Sequence, residues 1–320
     1  MPFHISGIEV ALWVPPLVAA VISFFTSMAG VSGAFLLLPF QVSFLGYTAP
    51  SVSATNQLFN IVAIPGGVYR YYREGRMVWP LAWVMVAGSL PGVFIGAILR
   101  VVYLPDPRNF KLFAAGVLFY IGLRLVLDLV KKDSHNMDMI KSEKGFREMM
   151  RGHRSKTGAP ELSTNASLSS VKVIHFNLKR LVYTFYGERF DIPFWGVFIL
   201  SFIVGIAGGV YGIGGGSIIA PLFVSFFGLP VYSVAGAVLM GTFVTSIAGV
   251  VSYKAIAPLY PNMSVGPDWL LGILFGLGGM VGMYLGARCQ RFMPAGAIKG
   301  MLSVIIIFTA INYIAEFFVY

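Results

Sequence analysis

The chain has 320 residues, of which 57% are apolar and 11% charged, against about 25% charged in a soluble domain. A mean hydropathy of +0.79 excludes an ordinary soluble fold, and the single cysteine, Cys289, excludes an intrachain disulfide or a cysteine-based metal site. Lys and Arg number 23 against 13 Asp and Glu, for a net charge of +10. With so apolar a background, this excess reads as a topology signal and not as a nucleic-acid surface.

In chain order the apolar residues form ten blocks, roughly 10–29, 31–46, 50–69, 77–99, 109–130, 193–211, 214–228, 231–253, 267–287 and 297–320. Most reach the ~20 residues needed to cross ~30 Å of hydrocarbon. The first follows MPFHISGIEV, which lacks the basic start of a cleaved signal peptide. Pro15 and Pro16 are expected to bend it. Blocks 31–46 and 214–228 are too short, since 15 helical residues rise only about 22 Å. They read as half-helices, re-entrant hairpins or thinned spans.

Segment 131–190 holds 12 of the 23 Lys and Arg against six acids, which places it in the cytoplasm by the positive-inside rule. Arg70, Arg73, Arg76, Arg288, Arg291 and Lys299 fall on the same side if all ten blocks cross; Arg100, Arg108 and Lys111 fall on the other. Residues 132–170 have the composition of a flexible stretch. Residues 171–190 are rich in β-branched and aromatic types and predict a small strand pair near the membrane face. It reads as a tether packed on the bundle, with a regulatory or homodimer contact as the alternative. The chain thus divides into an N-terminal transmembrane repeat (1–130), a basic linker (131–192) and a C-terminal transmembrane repeat (193–320).

The two short blocks are near-copies. Gly30–Gly46, GVSGAFLLLPFQVSFLG, aligns without a gap on Gly212–Gly228, GIGGGSIIAPLFVSFFG, at an offset of 182 residues. Carried on to Tyr71 and Tyr253, the alignment holds 13 identities in 42 positions. Paired Gly/Pro-interrupted segments in two halves of a membrane protein point to a transport site. The fold class is an all-α polytopic membrane protein of two five-segment repeats, each with a short broken segment, joined by the basic linker. If every block crosses, five is odd and the halves are inverted; if blocks 2 and 7 only dip in, they are parallel. The inverted arrangement is preferred.

The chemistry centres on Tyr211-Gly-Ile-Gly-Gly-Gly-Ser217. A helix starting at such a turn offers free N–H groups and a positive dipole end to an anion. The candidate binding residues there are Tyr211, Gly214, Gly215, Gly216 and Ser217, with Ser32 and Gly33 in the first copy. Close helix packing by small residues is the competing reading, and it suits Gly88, Gly92 and Gly96 with the matching Gly278, Gly282 and Gly286. The blocks that follow add Asn56, Gln57 and Asn60, then Thr242, Thr245 and Ser246. Amides and hydroxyls in lipid must face partners or a cavity, and these suit an oxyanion. No Asp, Glu or His lies near the middle of any block, which disfavours an intramembrane enzyme, a metal centre and a carboxylate proton relay. No cofactor is expected; the partners are a small anionic substrate and the bilayer.

These motifs, GIGGGSIIAPLF with FGLPVYSVAGAVLMGTFVTSIAGV and GVSGAFLLLPF with SATNQLFNIVAIPGGVYRYYREGR, resemble the sulfite exporter TauE/SafE family of bacterial membrane permeases. The resemblance covers about 20–130 and 170–320. It implies a bacterial inner-membrane permease that moves small anions such as sulfite, sulfonates or sulfoacetate, usually outward. The first copy departs from the glycine-rich pattern, with Ser32 and Ala34 where the second has Gly214 and Gly216. An anion channel, an ion-coupled importer and a receptor using the linker are the rivals.

Overall fold

A computed structural model describes residues 3, 5–28, 32–73, 77–130, 172–185, 188–229, 231–289 and 295–319. The polar stretch 132–170 lies outside them. The first half comprises α1 (Val14–Met28), α2 (Ala34–Pro39) running into a π-helical turn at Phe40–Phe44, α3 (Ser51–Ala63), α4 (Pro65–Arg73), α5 (Trp79–Val102) and α6 (Pro107–Val130). Strands β1 (Lys172–Phe176), β2 (Arg180–Phe185) and β3 (Glu188–Pro193) precede the second half. That half comprises α7 (Phe194–Tyr211), α8 (Gly216–Phe227), α9 (Val231–Ile256), α10 (Trp269–Cys289) and α11 (Ala295–Val319). Among the described residues, six helices are long and apolar enough to cross a membrane. Large apolar side chains such as Ile199, Ile203, Val281 and Phe308 point outward, the arrangement expected in lipid.

Two local expectations change. Pro15 and Pro16 lie in the first turn of α1, where a missing N–H breaks no helical bond, so they start the helix instead of bending it. The linker end forms three antiparallel strands in the order β1-β2-β3, not two. Residues 188–193 complete the sheet because Arg180 to Phe185 pair along their whole length with Glu188 to Pro193. Asn177 Oδ1 accepts the N–H groups of Lys179 and Arg180 at 3.0 and 2.7 Å and closes the first turn. β3 then passes directly into α7 at Pro193.

Glycine stripes set the closest helix contacts. On α5, a methyl added at Gly88, Gly92 or Gly96 would overlap the carbonyl oxygens of Phe198, Phe202 and Ile206 on α7. On α10, one at Gly278, Gly282 or Gly286 would overlap those of Pro16, Ala20 and Phe24 on α1. Pro16, Ala20 and Phe24 correspond to Phe198, Phe202 and Ile206 at the 182-residue offset. The fourth apolar block of each half therefore packs on the first block of the other, by the same rule in the same register. Both pairs are parallel, because the partner numbers rise together.

Two other contacts run the opposite way. Between α6 and α11, Lys111 pairs with Glu316 at 2.6 Å, Arg108 Nε donates to the Phe317 carbonyl at 3.1 Å, and Gly122 faces Ile307. Between α3–α4 and α9, Gln57 rests on Gly249 while Gly67 rests on Leu239. The second pair is the first exchanged at the offset of 182. In both, numbers rise on one side as they fall on the other, so these pairs are antiparallel.

Candidate functional site

The breaks arise where the sequence stops supporting helix. α7 ends at Tyr211 with Gly212 in the left-handed region (φ 84°), and Gly214 is there too (φ 70°). Side chains other than glycine rarely adopt this conformation. The turn carries the chain back alongside α7, so that a Cβ at Gly215 would lie 2.7 Å from Ser89 Cβ, midway along α5, and 3.6 Å from Gly205 Cα. The first break repeats this: a Cβ at Gly33 would lie 2.7 Å from Ser23 Oγ, and Ser23 corresponds to Gly205. Both short helices, α2 and α8, thus start inside the bundle.

Two side chains tie the breaks to one another. Asn60 on α3 accepts from Ser32 Oγ at 3.0 Å and donates from Nδ2 to the Ile213 carbonyl at 3.0 Å. Tyr211 donates its hydroxyl to the Phe35 carbonyl in α2 at 2.8 Å. Asn56 Nδ2 donates to the Ala34 carbonyl at 2.9 Å. At the helix starts, Ser32 Oγ accepts the Ala34 N–H at 3.3 Å and Thr245 Oγ1 accepts the Gly215 N–H at 3.1 Å. Thr242 presses on Gly216, and both Thr242 and Ser246 press on Gly214.

The structure therefore brings together Ser32, Gly33, Asn56, Gln57, Asn60, Tyr211, Gly214, Gly215, Gly216, Thr242, Thr245 and Ser246. Only the side chain of Ser217 lies outside the described residues. All the polar members are buried, none more than 8% exposed, so the cluster is closed from both faces. The glycines have packing work here: a methyl at Gly212 would overlap the Ser53 carbonyl, and one at Gly216 would overlap Thr242 Oγ1.

Side chains of the cluster also carry unspent hydrogen-bonding capacity. Gln57 has neither its Nε2 nor its Oε1 partnered, and Ser246 Oγ is also without a partner. Their Cα helices meet where Gly249 makes room for the Gln57 amide. A buried amide without a partner costs on the order of 1–3 kcal/mol, so an occupant that accepts from Gln57 Nε2 and Ser246 Oγ gains that back. Ser53, one of the polar residues that the sequence shows in the same block as Gln57, and Gln41, which was not singled out, also line the cluster. Ser53 Oγ donates to the Val210 carbonyl at 2.8 Å, and Gln41 Nε2 reaches Leu37 O at 3.4 Å. The helical spacing of Ser53 with Gln57 and Asn60 was the available signal.

A larger omission is Arg100. Grouped by sequence with the loop charges, it is instead fully buried at the end of α5. Its position one turn after Gly96 continues the glycine stripe, and that spacing marks it as inward-facing. Asp268 is buried for a different reason: its Oδ1 accepts the Leu271 N–H at 3.1 Å and caps α10.

A model of the sulfite exporter TauE/SafE family matches residues 16–313. Two curated relatives are similar over part of the chain. The probable membrane transporter protein YunE of Bacillus subtilis is 28% identical over 117 residues, 37% of this chain and 40% of its own. The probable membrane transporter protein MJ0441 of Methanocaldococcus jannaschii is 30% identical over 124 residues, 37% of this chain and 43% of its own. The matched stretches thus span less than half the length of either relative. No solved structure matches. With the family model running through both halves and both breaks, the chain belongs to the sulfite exporter TauE/SafE family of membrane proteins.

Proposed function

We propose that the protein exports a small anion, such as sulfite, a sulfonate or a related organic anion, across the bacterial inner membrane. The anion sits between the starts of α2 and α8, taking hydrogen bonds from Gln57 Nε2 and Ser246 Oγ, with Asn60, Thr242 and Thr245 around it. The observation that carries this reading is the pair of orphaned Gln57 atoms beside two helix breaks that one residue, Asn60, joins. A helix start adds a favourable field for negative charge.

We infer that the halves are inverted repeats, related by a two-fold axis in the membrane plane. Two features support this: the reciprocal α5–α7 and α1–α10 packing, and the antiparallel course of α6–α11 and α3–α9, the pairs a two-fold would map on themselves. Under such an axis alternating access follows from rocking one unit against the other. The closed cluster fits an occluded stage of that cycle and disfavours an open channel. With the basic linker in the cytoplasm, a negative-inside potential drives anions outward by about 2.3 kcal/mol per charge per 100 mV, so efflux needs no coupling ion.

The test is efflux from proteoliposomes loaded with sulfite, sulfonates or sulfoacetate, under an imposed potential. Saturable, potential-dependent efflux of one of them without a proton or sodium gradient is expected. A strict requirement for such a gradient would overturn the uncoupled mechanism, and conductance steps in single-channel recording would replace the carrier by a channel.

A further inference from the structure

We propose that Arg100 forms a second anion site, a staging point between the central cluster and the membrane face remote from the linker; this rests on the transport reading above. Gly88, Gly92, Gly96 and Arg100 recur at every fourth residue; the three glycines pack on α7, and Arg100 lies beyond them against Thr48, Phe110 and Tyr253. The stripe reaches Gly209 and Val210 at Gly96, and Arg100 is one turn further on. There Nη2 donates to the Thr48 carbonyl at 2.8 Å and Nη1 to the Leu104 carbonyl, and the guanidinium carbon lies 3.7 Å from the centre of the Phe110 ring. Nε is buried and has no partner. Among the described residues, no carboxylate is paired with this guanidinium.

Two carbonyl acceptors and a ring explain a donor at this position but not a full charge. A buried cation without a counter-ion is costly, and transient occupation by an anion relieves it. Polar groups continue from here to the centre. The Tyr253 hydroxyl, beside Arg100 and Ser53, donates to the Gly209 carbonyl at 2.9 Å. Ser53 is in turn one helical turn from Gln57 on α3. The ligand class is a small oxyanion with two adjacent oxygens, such as sulfite, a sulfonate or a carboxylate. Such a pair of oxygens takes Nε–H and a remaining Nη hydrogen together.

Equilibrium dialysis of labelled sulfite and sulfoacetate against purified protein, with folding followed by thermal melting, tests the site. Wild type is expected to bind two anions per chain and Arg100→Gln one. Arg100→Lys, which keeps the charge and loses the fork, should weaken the second site roughly tenfold. In oriented vesicles, the KM for anion offered at the face remote from the linker should rise by a similar factor, and that from the linker face should not. Wild-type-like stoichiometry and affinity in folded Arg100→Gln would overturn the site, as would a KM that rises equally at both faces. If Arg100→Gln does not fold, wild-type affinity in Arg100→Lys does the same. Loss of a bound anion in the variants with no flux in wild type would instead remove the transport reading and leave the Arg100 site standing.

Discussion

Gln57 separates a binding role from a packing role more cleanly than any glycine. Replacing Gly215 by a bulky residue drives it into Ser89, so lost flux there reports packing as well as binding. Gln57→Leu removes two unpartnered polar atoms and keeps the volume, which leaves stability unchanged or raised by about 1 kcal/mol. We expect it to melt no lower than wild type while efflux falls at least tenfold; full flux would dismiss Gln57 as a ligand. Asn60→Ala should behave differently. It leaves the Ser32 hydroxyl without its acceptor and removes the bond to the Ile213 carbonyl, which should cost about 1–3 kcal/mol in addition to transport, read by denaturation in detergent. The residue types at 56, 57 and 60 were legible in the sequence, because amides in an apolar block are rare and must face inward. Which of them lack partners was not, since that depends on where carbonyls such as Ala34 and Ile213 end up.

For the elements, block lengths and Gly/Pro interruptions located both breaks to within a few residues, because helix length and glycine dihedrals are local properties. The third strand and the entry of α1 were missed for the opposite reason. Residues 188–193 become a strand by pairing with β2, and Pro15 and Pro16 are harmless only once the helix is known to start at Val14. The glycine stripes were read as packing surfaces, and their partners came only with the coordinates. Adding a methyl at Gly92 or Gly282 forces overlap with the carbonyl of Phe202 or Ala20. Each Gly→Ala change should therefore destabilise by about 1–3 kcal/mol. Under the proposed two-fold relation the two costs should be similar; melting temperatures of the paired variants check this. A large drop at one and none at the other would argue against equivalent packing.

At the scale of the molecule, the linker is not part of the proposed route, and removing 132–170 should leave efflux within about twofold of wild type; abolition would favour a receptor. Substrate choice and direction were not legible at any scale, because the clustered side chains are neutral amides and hydroxyls, which single out no one small solute. The crossed partnership of α1 with α10 and α5 with α7 has a consequence for biosynthesis. The first half leaves the ribosome with α1 and the small-residue side of α5 lacking their mates, and it must wait in the bilayer until the second half is inserted. Either half made alone should be cleared by membrane proteases. The two halves made as separate polypeptides in one cell should rescue each other and restore a working carrier.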